Sequence, residues 1–444
     1  MAGVDNTGTM VEQIIAAHAG RSHVSPGEIV GVELDLLVSD ELSFPDVMHE
    51  FEALGATTVF DPDRILIVAD HETPAPSVAS AERMRSVRAF ADQHQLSRLL
   101  DAGRAGVMHV VIPEAGLACP GGLIAGYDSH MLTAGALTCA GIGIGATDAA
   151  VAMAFGELWV RVPETVRIRI EGEPQGWVSA KDISLSICST IGQSACRYRS
   201  VELYGSYIDS ARIDARLTIT NMAIELGAKV ALIATDATTE AYLTQVGPEL
   251  PARTRPELIA NASIEQEHLF DASAVRLTVA VPGGPDRGIP VQDVPAVAID
   301  QVFIGSCTNG RIDDLRVAAA VLNGRKVHPR TRLLIVPGSQ GVFRQALAEG
   351  LIAQFADAGA VIIPPGCGPC AGLHMGVLAA GERALATSSR NFPGRMGALG
   401  SEVYLAGPAI AAATAVAGTV ADPADVTGER GPQRLPLATS KGAA

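Results

Sequence analysis

Cys307 lies in FIGSCTNGR, and Cys367 and Cys370 lie in PPGCGPCAG. Each motif follows a short aliphatic run, Val302–Ile304 and Val361–Ile363 respectively, that reads as a β-strand. Strand-end loops of an α/β unit are where ligands usually bind. Two cysteines on a tight Gly/Pro loop and a third from a neighbouring strand end make a three-thiolate site. Three thiolates suit an iron–sulfur cluster with one iron left uncovered. The same set can hold zinc, with His374 close enough in sequence to act as a fourth ligand. The other cysteines, 119, 139, 188 and 196, are scattered and read as packing residues.

The elements that must carry these loops are legible as alternation. Val30–Leu36, Ile65–Val68, Val107–Ile112, Leu123–Ala125, Val166–Ile170, Val230–Ile233 and Arg332–Val336 also read as strands. Val11–His18, Ser77–Gln93, Asp148–Trp159, Leu315–Leu322 and Gln340–Glu349 read as helices. Several strands are apolar throughout, which predicts burial on both faces, as in parallel α/β sheets. Composition shifts divide the chain into α/β units at 1–163, 164–288 and 289–424, with a polar tail at 425–444.

Composition narrows the function. The chain has 444 residues, 48% hydrophobic and 18% charged, which is ample for two to four compact domains at roughly 100–200 residues each. The net charge of −15 argues against general nucleic-acid binding, which needs a basic footprint. The most apolar stretches, Leu137–Phe155 and Ala406–Ala421, are Ala/Gly-rich and interrupted, so no membrane span is expected. The N-terminus shows no signal-peptide pattern, and seven cysteines do not form a secreted disulfide framework, so the expected location is cytoplasmic.

GSCTNGR, GCGPCAG and SRNFPGR, in that order, resemble the aconitase superfamily, and within it the large subunits of the 3-isopropylmalate dehydratase (isopropylmalate isomerase) and homoaconitase type. The resemblance starts at HAGRSHVSPGEIV, runs through VFDPDRILIVADHETPA, MHVVIPEAG, YDSHMLTAGAL and LTITNMAIELGAK, and ends near SEVYLAGPAIAAATAVAG. It implies three α/β/α domains around a 4Fe-4S cluster. It also implies a hydro-lyase that shifts the hydroxyl of a 2-hydroxy di- or tricarboxylate by dehydration and rehydration, in amino-acid (leucine) biosynthesis for the dehydratases. The uncovered iron then acts as a Lewis acid on the hydroxyl.

Residue by residue, the resemblance makes Cys307, Cys367 and Cys370 the cluster ligands. Asp70 and His71 match the family's Asp-His pair, His109 a second histidine, and Asp128 and His130 the Asp-Ser-His element around Ser129. These pairs position the leaving hydroxyl and supply its proton, a use suited to carboxylate-oriented imidazoles. Asn221 and Glu225, four apart on one helix face, match residues that reach the cluster from the second domain. Arg390 and Arg395 match the arginines that grip substrate carboxylates.

Departures from the family pattern are Ser389 for Asn, Met131 for Thr and Ala134 for His, with Ser389 expected to forfeit a contact near the cluster. Gly192–Leu203 also departs, adding Arg197 and Arg199. These differences suggest a paralogue acting on another substituted malate as an alternative substrate assignment. The family's swivelling fourth domain, with its serine base and a further arginine, is expected on a separate small subunit. Two other readings stand beside the enzyme: a cluster-free binding or regulatory protein, against which the acidic charge weighs, and a zinc-stabilised scaffold using His374.

Overall fold

The computed structural model describes residues 7–251 and 253–432. The outer part of the expected tail, 433–444, lies outside the described residues; Pro423–Thr427, nearer the body, forms a short helix.

Three sheets organise the fold. The first runs Arg98–Leu100, Ile65–Val68, Leu36–Asp40, Leu123–Gly126, Ala140–Gly143, all parallel. The second runs Val230–Leu232, Ser200–Tyr204, Thr165–Glu171, Gln266–Asp271, again all parallel. The third has seven strands. Its parallel part is Glu402–Leu405, Arg383–Ala386, Gln301–Ile304, Arg332–Ile335 and Val361–Ile362, and Gly288–Pro290 and Thr278–Ala280 add an antiparallel edge. The central strands ILIV, QVFI and LLVSD are buried along their whole length, as sheets covered on both faces require.

Two expected elements change identity. Val107–Ile112, β-branched and apolar, is not a strand; Met108–Glu114 is a helix buried on nearly every side. Its first amide, that of Met108, donates to the Asp70 carboxylate at 2.9 Å, so tertiary capping and burial override the local β-preference. Val30–Leu36 is split: Ile29–Glu33 pairs antiparallel with Glu157–Arg161 as a separate ribbon, and Leu36–Asp40 enters the first sheet. The same ribbon takes Trp159 out of the helix expected over Asp148–Trp159, which ends at Phe155. Gly156, at φ 74°, makes that turn.

The parallel strands deliver chemistry at their C-terminal ends. Asp70–His71 follow Ile65–Val68, and Asp128–His130 follow Leu123–Gly126. In the third sheet, neighbouring strands end in the loops of Ser389–Arg390 and Cys307, and the edge strand Val361–Ile362 leads to Cys367 and Cys370.

Candidate active site

The three thiols are buried and unpaired by disulfides. Ser306 Oγ lies 3.7 Å from Cys307 Sγ and 3.8 Å from Cys370 Sγ, so thiols from two strand ends meet across one hydroxyl. Ser306 holds a positive φ of 78°, rare for a residue with a Cβ, in the GSC turn that presents Cys307. Cys367 is placed by its backbone: its amide donates to the Asp70 carbonyl at 2.7 Å. Ligand-type atoms of Asp70, His71 and Cys367 all lie within 4.8 Å of one another.

His71 Nδ1 donates to Asp70 Oδ1 at 2.6 Å, with Asp40 Oδ1 at 3.9 Å. Glu41, buried, accepts the amides of Asp70 at 2.8 Å and His71 at 3.0 Å and also that of Glu72, locking the loop. Burial alone would lower the His71 pKa; its neighbours Cys367, Asp70 and Asp40 outweigh it and hold the imidazole well above its ordinary value.

A second histidine cluster shares one carboxylate. Asp128 Oδ1 accepts from His109 Nε2 at 2.9 Å and from the His130 amide at 2.6 Å. His130 Nε2 sits 3.1 Å from Ser389 Oγ and 3.6 Å from Glu225 Oε1. Burial pulls His130 down, but Cys307, Asp128 and Glu225 raise it to about 10, so it stands as an imidazolium between two carboxylates. In return, and against burial, His109 and His130 hold Asp128 well below the carboxylate range.

Glu225 also accepts from Arg390 Nε at 2.8 Å, and Arg390 Nη2 donates to Ser129 Oγ at 3.1 Å. Asn221 spans the domains: its Nδ2 donates to Thr133 at 2.8 Å while its Oδ1 faces Cys307 Sγ at 3.7 Å. Arg395 Nη2 lies 3.7 Å from Cys370 Sγ. Each residue that the family resemblance placed at the site therefore touches at least one other of that set.

The departures resolve individually. Ser389 is buried, with its hydroxyl 3.1 Å from His130 Nε2. Met131 and Ala134 pack into the hydrophobic core of the first sheet. Arg199 is engaged by Glu265 at 2.6 and 2.7 Å on the surface and does not reach the network. His374 bonds the Pro74 carbonyl at 3.0 Å and joins no ligand cluster among the described residues, which removes it as a fourth zinc ligand.

Four supporting residues escape sequence reasoning. Ser306 and Arg311 lie inside the GSCTNGR motif, yet only the structure shows Arg311 donating to the carbonyls of Cys307 at 2.9 Å and Thr308 at 2.8 Å. Glu41 carries no motif signal. Lys181 sits in a Ser-Ala-Lys-Asp helix start, where a lysine reads as exposed.

The donor set fits an iron–sulfur group. The three buried thiols are soft ligands, which suit iron–sulfur chemistry, and Cys367 also has the Asp70 carboxylate and the His71 imidazole within 4.8 Å. Although burial opposes ionisation, Arg395 brings the Cys370 pKa below the ordinary thiol value, favouring a thiolate there, whereas burial pushes the Cys367 thiol up. Arg395 Nε is buried beside it with no protein partner.

The fold is mixed α/β, with three buried thiols on strand-end loops of one sheet, and its relatives make the chain a hydro-lyase enzyme. The chain belongs to the aconitase family: the model of the Aconitase family (aconitate hydratase) matches residues 12–418. Members of this family generally bind an iron–sulfur cluster. The chain is 46% identical over 418 residues to the 3-isopropylmalate dehydratase large subunit of Moorella thermoacetica, covering 94% of this chain and 99% of that protein. It is 45% identical over 422 residues to the protein of the same name from Thermodesulfovibrio yellowstonii, with the same coverage. A solved aconitase X from Thermococcus kodakaraensis overlays with a TM-score of 0.47 at 12% identity, over 81% of this chain and 84% of that one. Among the described residues no helix is long and apolar enough to cross a membrane.

Proposed function

We propose that the chain is the large subunit of a 3-isopropylmalate dehydratase, interconverting 2- and 3-isopropylmalate by dehydration to a cis-alkene and rehydration, and that it acts in the cytoplasm. Ser306 Oγ, 3.7 Å from Cys307 Sγ and 3.8 Å from Cys370 Sγ, supports the reading, because it joins buried thiols from separate strand ends, while the third thiol, Cys367, lies beside the Asp70–His71 pair. Cys307, Cys367 and Cys370 would hold a 4Fe-4S cluster, which supplies a Lewis-acidic iron when bound.

The chain's own residues then divide the work. His71, with Nδ1–H held by Asp70, keeps Nε2 for proton exchange at the leaving hydroxyl. His109, with Nε2–H held by Asp128, keeps Nδ1 as the second exchange position. His130, bridging Asp128, Glu225 and Ser389, orients these three groups. Arg395, buried beside the thiols, and Arg390, aimed by Glu225 and Ser129, grip the two carboxylates of the substrate. The base that takes the carbon proton is a serine on the swivelling domain of a small subunit, consistent with relatives named as large subunits.

The test is anaerobic copurification with the small partner and assay of a panel of 2-substituted malates, homocitrate and citrate. The reading expects isopropylmalate to have the highest kcat/KM. Preference for a tricarboxylate would move the assignment to a homoaconitase-type enzyme.

A further inference from the structure

Lys181 is fully buried, at 0% exposure, and it occupies the first turn of the Ala180–Ile191 helix. Both circumstances work against a cation. Burial strips its hydration, and the helix N-terminus carries positive partial charge. No carboxylate bonds to it among the described residues. Its Nζ donates instead to the carbonyls of Ser388 at 2.6 Å and Thr387 at 3.3 Å and touches Met222 Sδ at 3.5 Å.

Those two carbonyls belong to the residues immediately before Ser389 and Arg390. Thr387 is already anchored to the cysteine side: its Oγ1 exchanges hydrogen bonds with Gly305 at 3.0 Å, and its carbonyl accepts from Thr308 Oγ1 at 2.6 Å. Ser388 has no such second anchor, since its own hydroxyl is buried without a partner. Lys181 therefore makes the tie that fixes the backbone one residue before the Ser389–Arg390 pair, from a helix belonging to the second sheet's layer. The titratable side chains near it are Cys307, Glu225, Cys188 and Cys370, of which Cys188 is held as a neutral thiol by burial.

We propose that Lys181 is a positioning residue of the active site: by holding the Thr387 and Ser388 carbonyls it sets where Ser389 meets His130 and where Arg390 meets Glu225, Ser129 and the substrate. The proposal rests on the hydro-lyase reading for its activity arm and on the structure alone for its second arm.

In the reconstituted two-subunit enzyme, kcat/KM is measured for wild type, K181M, R390K, R395K and the doubles K181M/R390K and K181M/R395K. If Lys181 acts through Arg390, K181M lowers kcat/KM about tenfold or more, and the K181M/R390K double is within about threefold of the worse single variant. The losses of K181M and R395K then multiply, as for independent sites. Multiplication in both doubles would overturn the proposal, because it would mark general damage. K181Q keeps N–H donors without the charge and is expected to recover part of the loss. A wild type inactive on every substrate would count against the functional reading and leave the second arm intact. That arm is hydrogen exchange of the purified large subunit, comparing K181M, or K181Q if K181M does not fold, with wild type. Faster exchange confined to residues 384–395 supports the positioning role; unchanged exchange there, or equal loosening across 180–191 and 301–311, overturns it.

Discussion

The carbonyl of Asp70 accepts the amide of Cys367 at 2.7 Å, while the carboxylate of the same aspartate holds His71 at 2.6 Å. One residue thus sets both the imidazole of the Asp-His pair and the loop of a candidate cluster ligand, and it belongs to a different sheet from that ligand. The carboxylate acts on His71 and the backbone carbonyl on Cys367, so a side-chain substitution at Asp70 separates the two roles.

Asp70→Asn keeps the backbone tie to Cys367 and removes the anion from His71. The expected outcome is a fall in kcat of about 100-fold, the scale of general acid–base catalysis, with iron content close to wild type. Steady-state kinetics and iron analysis on one preparation check this; equal loss of iron and activity would instead assign Asp70 to the cluster loop alone.

Asp128 is the anion shared by His109 and His130. Asp128→Asn leaves the buried His130 with Glu225 as its remaining carboxylate neighbour and removes the anion that His109 and His130 share, at a cost of up to about 3–5 kcal/mol for loss of one partner of a buried pair. The melting temperature falls and activity is lost, whereas Asp148→Asn, on the exposed surface, changes neither. Thermal unfolding of both variants decides the matter.

Arg395→Lys keeps the charge and loses the planar fork. It should lower kcat/KM at least about tenfold, which is about 1.4 kcal/mol, with iron content and melting temperature almost unchanged. A silent substitution would make Arg395 a partner of Cys370 only.

The large subunit alone should turn over substrate slowly or not at all, since the proposed serine base is brought by the small subunit. Addition of that subunit should restore the rate in a saturable titration. Full activity without it would place the base within this chain, with His109 the first candidate.

Much of this site was readable before any coordinates, because chemistry-bearing residues sat in ordered motifs at strand ends. Cys307, Cys367 and Cys370, the two aspartate–histidine motifs and the two arginines all come together. What escaped was support that depends on tertiary contact. Val107–Ile112 looked like a strand because its residues are β-branched, and only the cap from Asp70 and burial on every side make it the helix that presents His109. Glu41 and Lys181 carry charges that composition assigns to the surface; each is buried because it answers backbone groups from sequence-distant loops. Ile29–Glu33 and Leu36–Asp40 read as one strand because only Leu34 and Asp35 separate them, yet the first alternates buried and exposed residues as a two-stranded ribbon while the second is buried throughout.

The most direct test of the central claim, that Cys307, Cys367 and Cys370 together hold a cluster, is iron and sulfide analysis with visible absorption on the anaerobically reconstituted protein and its Cys367→Ser variant. The account predicts brown protein absorbing near 400 nm with about four iron atoms per chain, and a colourless, inactive variant that still folds. Colourless wild-type protein that contains zinc and is fully active with its small subunit would contradict it.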